Sequence, residues 1–109
     1  MRLIAKERPF LEKILREADR YKRQDMLTHA NADQINAVSE LVLNLLKKKI
    51  PVSDNIVKRL KRYKQTLREV GKRKNSIKRR RQQLLQQKGG AFWSGLKDTF
   101  QTCFCVRRV

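Results

Sequence analysis

Between residues 58 and 81 the chain places a cation at thirteen positions: Lys58, Arg59, Lys61, Arg62, Lys64, Arg68, Lys72, Arg73, Lys74, Lys78, Arg79, Arg80 and Arg81. Glu69 is the sole acid among them. Cations at this density repel one another and call for a polyanion or for wide solvation. A phosphate backbone meets that need, because each phosphate neutralised releases a condensed counterion. Tyr63 is the only aromatic in the run, so bases of a single strand would find no stacking platform. Gln65, Gln82 and Gln83 form no pattern specific enough to read base edges. The chemistry expected is therefore binding to the backbone of a nucleic acid, duplex DNA above all, tolerant of sequence and sensitive to salt. A solvated helix face and a surface for anionic lipid are the competing readings.

Other residues invite weaker readings. Lys72-Arg73-Lys74 followed by Arg79-Arg80-Arg81 resembles a bipartite nuclear address. Gly89-Gly90 is a helix terminator and hinge, or a processing site, since extended Gly-Gly fits a narrow protease cleft. Phe92, Trp93, Leu96 and Phe100 suit a membrane interface; alternatively the tail folds back over Leu84 and Leu85. Cys103 and Cys105 are read as ordinary thiols, with acylation as the alternative. His29 falls at a helix end and is expected to cap it. There is no Ser/His/Asp set, paired-carboxylate constellation, phosphate-cradling glycine loop or zinc spacing. The chain is thus expected not to be an enzyme, and no metal or cofactor is called for.

The elements that must position these residues follow from length and pattern. With 109 residues, 28 Lys plus Arg, 10 Asp plus Glu and a net charge of +18, the chain is bounded to one small domain with tails. Residues 51–88 alone hold 14 basic and 2 acidic side chains. No apolar run reaches the roughly 18 residues that cross a bilayer, and Arg2, Lys6, Glu7 and Arg8 interrupt what a signal peptide would keep apolar. Two cysteines so close together cannot staple distant segments, which suggests a reducing compartment or a trivial thiol role.

Phe10, Leu11, Ile14, Leu15 and Ala18 recur at helical steps behind Pro9, a favoured residue of a first turn. A weakly patterned turn or short helix spans Tyr21 to Thr28. Asn31 then caps a helix striped by Ile35, Val38, Leu41, Val42, Leu45 and Leu46. Lys47, Lys48 and Lys49 complement its C-terminus, and Ile50-Pro51 stops it. After Ser53 or Asp54, Ile56, Leu60, Tyr63, Leu67 and Val70 follow 4-3-4-3 spacing, the seam of a bundle or of an adaptor awaiting a partner helix. A last basic helix is expected from Ser76 to Gln87. The fold class is all-α: a small helical bundle over residues 1–71, a basic helical extension over 72–88, and a Gly-Gly hinge with a short amphipathic tail over 89–109.

Taken together, Pro9-Phe10-Leu11-Glu12-Lys13-Ile14-Leu15, the run Gln34 to Leu46, Ile50-Pro51-Val52, Leu60-Lys61-Arg62-Tyr63-Lys64, Leu67-Arg68 and Leu84 to Gly90 resemble the small basic proteins of Polinton/Maverick elements and adintoviruses. These are similar to adenoviral core proteins, which condense packaged double-stranded DNA. The resemblance covers roughly residues 8–96. It implies a virion core protein found in the virion and the host nucleus, with capsid proteins and an adenain-type cysteine protease as partners. It also implies cleavage after Gly90, releasing a membrane-active peptide. Cys103 and Cys105 have no place in that pattern, and Gln86 and Gln87 depart from the apolar residue preferred near the glycines.

Overall fold

The computed structural model describes residues 2–105. These form helices α1 (Arg2–Lys6), α2 (Arg8–Arg16), α3 (Arg20–His29), α4 (Ala32–Leu46), α5 (Asp54–Lys61), α6 (Lys64–Gly71), α7 (Ile77–Leu85) and α8 (Gly90–Cys105). No strand occurs among the described residues. The all-α expectation holds, and most helix starts lie where their caps stand in the sequence.

A helix leaves its first backbone N–H groups without partners, and side-chain oxygens satisfy them here. Asp19 accepts from the amides of Tyr21 and Lys22 at the start of α3. Asn31 and Gln34 exchange bonds of 2.9 Å at the start of α4, side chain to backbone in both directions, a full capping box. Ser53 and Ser76 cap α5 and α7. Pro9 sits in the first turn of α2. The α1 turn, which carries the buried Ile4, has no such signal in the sequence.

Helix α4 ends at Leu46, four residues ahead of the expected stop at Ile50-Pro51. Lys48 turns the chain with φ 58°, and the Lys49 amide donates back to the Asn44 carbonyl at 2.9 Å. The expected continuous helix through Val70 also divides. At Arg62-Tyr63 the Tyr63 amide donates to Leu60 rather than to Arg59, a tighter 3₁₀-type turn. The break lets the two halves choose different neighbours: α5 packs on α8, whereas α6 packs on α4 and α7. Ile56, Leu60, Leu67 and Val70 are all buried within the chain, so the seam is filled internally and offers no free face to an adaptor's partner helix.

Leu84 of α7 and Phe92, Trp93, Leu96 and Phe100 of α8 belong to the same apolar cluster as Ile14, Leu41 and Val42. The Cα radius of gyration, 12.7 Å, matches the value of about 13 Å for a compact chain of this length. Residues 72–88 and the described part of the tail therefore do not stand away from the bundle.

Of the two expectations for the tail, the structure shows the fold-back onto the bundle, with other neighbours than expected. α8 does return to the bundle, but onto α5 and α2 with a lesser contact to α4; Leu84 is instead enclosed where α7 packs on α3, α4 and α6. Tyr63, Phe92 and Trp93 form a chain of edge-to-face contacts with centroids 5.4 and 5.2 Å apart, a preferred aromatic geometry. Gly95 is required at this crossing. A Cβ there would lie 2.8 Å from Leu60 Cγ and closer still to its Cδ2, so only glycine lets α8 approach α5 this closely.

Candidate nucleic-acid interface

The thirteen expected phosphate-binding cations divide by surroundings. Lys58, Lys61, Arg62, Lys64, Arg68, Arg73, Lys74 and Lys78 are exposed. Among the described residues none of these eight has a carboxylate within 4.0 Å. They belong to α5, α6, α7 and the turns between them, where only Asp54 and Glu69 are acidic. Unpaired cations pointing to water keep their full charge for a ligand, and nothing in the fold must be broken to engage them.

Lys72 and Arg79 are also exposed but converge on Glu69, at 4.0 and 3.4 Å. The Glu69 side chain is 14% exposed and does more than pair charges. Asn75 donates both to its carboxylate, at 2.9 Å, and to its backbone carbonyl, at 2.8 Å. This pins the turn of residues 72–76 against the end of α6, so Arg73 and Lys74 project from a fixed backbone.

Three of the thirteen are held by the fold: Arg80 is buried, which corrects its assignment to the phosphate-binding set, and Arg59 and Arg81 are half-buried. Arg80 is 3% exposed. Its guanidinium donates to Ser39 Oγ at 2.7 Å, Asn36 Oδ1 at 2.8 Å and the Asn75 carbonyl at 3.1 Å. Burial, with a smaller contribution from Arg73, holds its pKa below the ordinary guanidinium value; it remains a cation bonded to neutral acceptors. Arg81 is half-buried and donates to the Ala30 carbonyl at 2.6 Å. Arg59 is half-buried between α5 and α8, donating to Ser94 Oγ at 3.2 Å and pairing with Asp98. Both leave a buried Nε without a partner. The triplet 79–81 is thus no uniformly exposed cluster: Arg79 is exposed, Arg81 half-buried and Arg80 buried.

The residues expected at a membrane interface are also relocated. Phe92, Trp93, Leu96 and Phe100 are 0 to 5% exposed, and burying each is worth about 1.5–3 kcal/mol. No helix among the described residues is long and apolar enough to cross a membrane. Gly89 and Gly90 are exposed, and Gly90 is the first residue of α8 rather than extended backbone. Cleavage there would require unwinding the start of α8. The side chains of Cys103 and Cys105 lie outside the described residues.

Arg23 is a structural residue that no sequence motif marks. It is 3% exposed, its guanidinium carbon stands 5.1 Å from the Trp93 ring centroid, and it donates to the carbonyls of Glu17 and Lys88 at 2.8 and 3.4 Å. Trp93 Nε1 in turn donates to the Gln87 carbonyl at 2.7 Å. Together they hold the turn between α7 and α8. Desolvation lowers the Arg23 pKa, while Glu17 and Asp19 oppose that effect. The only hint in the sequence is spacing: Arg23 shares a helical face with Leu27.

His29 lies in the last turn of α3, its Nδ1 2.9 Å from the Asp25 carbonyl. It borders an open hollow of about 440 Å³, also lined by Lys6, Phe10, Lys13 and Met26. Among the described residues no three His, Cys, Asp or Glu side chains are grouped to hold a metal. Neither the sequence nor the fold matches any known family, curated protein or solved structure.

Proposed function

We propose that this chain binds double-stranded DNA through its phosphate backbone, without sequence preference, and condenses it by neutralising charge. The observation that carries this reading is the set of eight exposed cations on α5, α6, α7 and their turns, none of them paired with a carboxylate among the described residues. Ordinary surface charges stand among charges of both signs. Here the apolar seam of Ile56, Leu60, Leu67 and Val70 faces inward, and the remaining circumference is left to cations with almost no acids between them. Because the helices are held by their own core, the charges are presented at fixed spacing before any ligand arrives.

The place of such a protein is inside a virion or a host nucleus, packaging the genome of an adenovirus-like virus or mobile element. That part rests on the resemblance alone. Condensation requires that one protein molecule touch more than one duplex or that bound molecules associate. The test uses two duplexes of unrelated sequence, titrated with the full chain at rising salt. Log Kd should vary linearly with log salt, along the same line for both. A marked preference for one of them would overturn the reading.

A further inference from the structure

We infer that Lys47, Lys48 and Lys49 join Lys72, Arg73 and Lys74 in a second phosphate-binding cluster at the C-terminal end of α4. This inference rests on the DNA-binding reading and adds to it a site outside α5–α7. The two triplets lie 25 residues apart in sequence but flank one close approach: a Cβ at Gly71 would sit 3.5 Å from Leu46 Cδ1 and 3.8 Å from Leu43 Cα. Lys47 follows Leu46 directly, and Lys72 follows Gly71. All six side chains are exposed. Lys72 reaches Glu69 at 4.0 Å; the other five have no carboxylate within that distance among the described residues.

The bonds that close α4 run from backbone to backbone and call for no lysine side chain. Lys47 is the C-cap of α4, the amides of Lys48 and Lys49 donate to the Leu45 and Asn44 carbonyls, and Lys48 occupies the turn at φ 58°, the sole non-glycine residue with positive φ among those described. The left-handed region is costly for a side chain with a Cβ, and helices that end this way usually place glycine there. A lysine at that position keeps a charge where the backbone favours its removal. Strain retained at an exposed cation, within a group of like charges, points to a ligand that rewards the charge. The occupant is a run of phosphates on a nucleic-acid duplex. Fixed cations from two chain segments can straddle adjacent phosphates, and the turn of residues 72–76 is already anchored by Asn75 on Glu69.

The experiment uses the full-length chain and a random-sequence duplex, with binding measured across salt and folding followed by thermal melting. Lys48→Gly is expected to keep or raise the melting midpoint while weakening DNA binding several-fold. Replacing all three (Lys47→Gln, Lys48→Gly, Lys49→Gln) should reduce the log–log salt slope by about 2 to 3, near 0.9 for each phosphate that is no longer neutralised. A slope unchanged by the triple replacement, but reduced by Lys58→Gln with Lys61→Gln and Lys64→Gln, overturns this cluster and leaves the DNA-binding reading standing. Wild-type protein that ignores the duplex and binds anionic phospholipid vesicles overturns both. A melting midpoint lowered by Lys48→Gly alone would show that the lysine serves the fold, and would also overturn the inference.

Discussion

Arg80 Nη1 lies 2.7 Å from Ser39 Oγ, inside the bundle. A cation from the middle of a triple-arginine run is therefore a core residue, joining α7 to α4. The bond explains why a helix with so thin an apolar strip docks at all. Leu84 alone is fully buried on α7 beside Arg80, and the guanidinium supplies the second point of attachment.

Arg80→Met should accordingly destabilise the fold while sparing DNA binding. Ser39, Asn36 and the Asn75 carbonyl would lose their donor, and hydrogen bonds to a charged group are worth about 1.5–3 kcal/mol. We expect a loss of about 2–3 kcal/mol in urea unfolding. At temperatures where the variant is folded its salt slope should equal the wild type's. A slope reduced by about 1 would instead make Arg80 a phosphate ligand.

Gly95→Ala should destabilise by about 1–3 kcal/mol, the cost of overpacking a close crossing. The added methyl meets Leu60 at Cδ2 and at Cγ, the latter 2.8 Å away. Combining it with Leu60→Ala should recover part of the loss, since the methyl then enters the space vacated by the leucine. Urea unfolding of the two single variants and the double variant measures this coupling; strict additivity would mean that α8 does not cross α5 at Gly95.

Trp93 is the only tryptophan and is 2% exposed, so its fluorescence reports on α8 docking. Emission should be blue-shifted and resistant to aqueous quenchers in the native protein. Anionic vesicles added at moderate salt should leave both properties unchanged, because the apolar face of α8 is already occupied by α5 and α2. A vesicle-induced shift would revive the membrane reading through Phe92, Trp93, Leu96 and Phe100.

One ion pair sets a pH dependence. Lys6 Nζ lies 2.6 Å from Asp33 Oδ2, which holds the Asp33 carboxyl below its ordinary value of 3.8 through the hydrogen bond and then the charge of Lys6. A carboxylate with a depressed folded-state pKa contributes stability above its unfolded value and loses it as pH falls through the folded one. Wild type should thus exceed Asp33→Asn in stability at neutral pH, and the gap should close below pH 3.8. Both partners are about half exposed, so the gap will be small and should shrink in high salt.

The caps at Asn31 and Ser53 and the helix start at Ser76 are legible in the sequence because capping depends on a few neighbouring residues, whereas the cap at Asp19 stands before a segment too weakly patterned to mark it. The 4-3-4-3 seam is legible for the same reason, although not its break, which serves the different neighbours of α5 and α6. Phe92, Trp93, Leu96 and Phe100 present an apolar face whatever covers it, and only tertiary packing decides between lipid and protein. Arg79, Arg80 and Arg81 are chemically alike, yet Ile77, Arg80 and Leu84 share one helical stripe by their spacing of three and four. That register is the available signal for the buried arginine. Arg59 and Asp98 carry no comparable signal, because their pairing joins segments 39 residues apart.

The number of counterions released when the full chain binds random-sequence duplex DNA decides whether these exposed cations hold phosphates. Wild type and a variant with Lys58→Gln, Lys61→Gln, Lys64→Gln and Arg68→Gln are compared across salt, with thermal melting as the control for folding. Wild type should show a steep linear dependence, with a slope beyond about −4, and the variant a slope smaller in magnitude by about 3 at an unchanged melting midpoint. Equal slopes for the two proteins, or no binding by wild type at moderate salt, would contradict the DNA-binding reading.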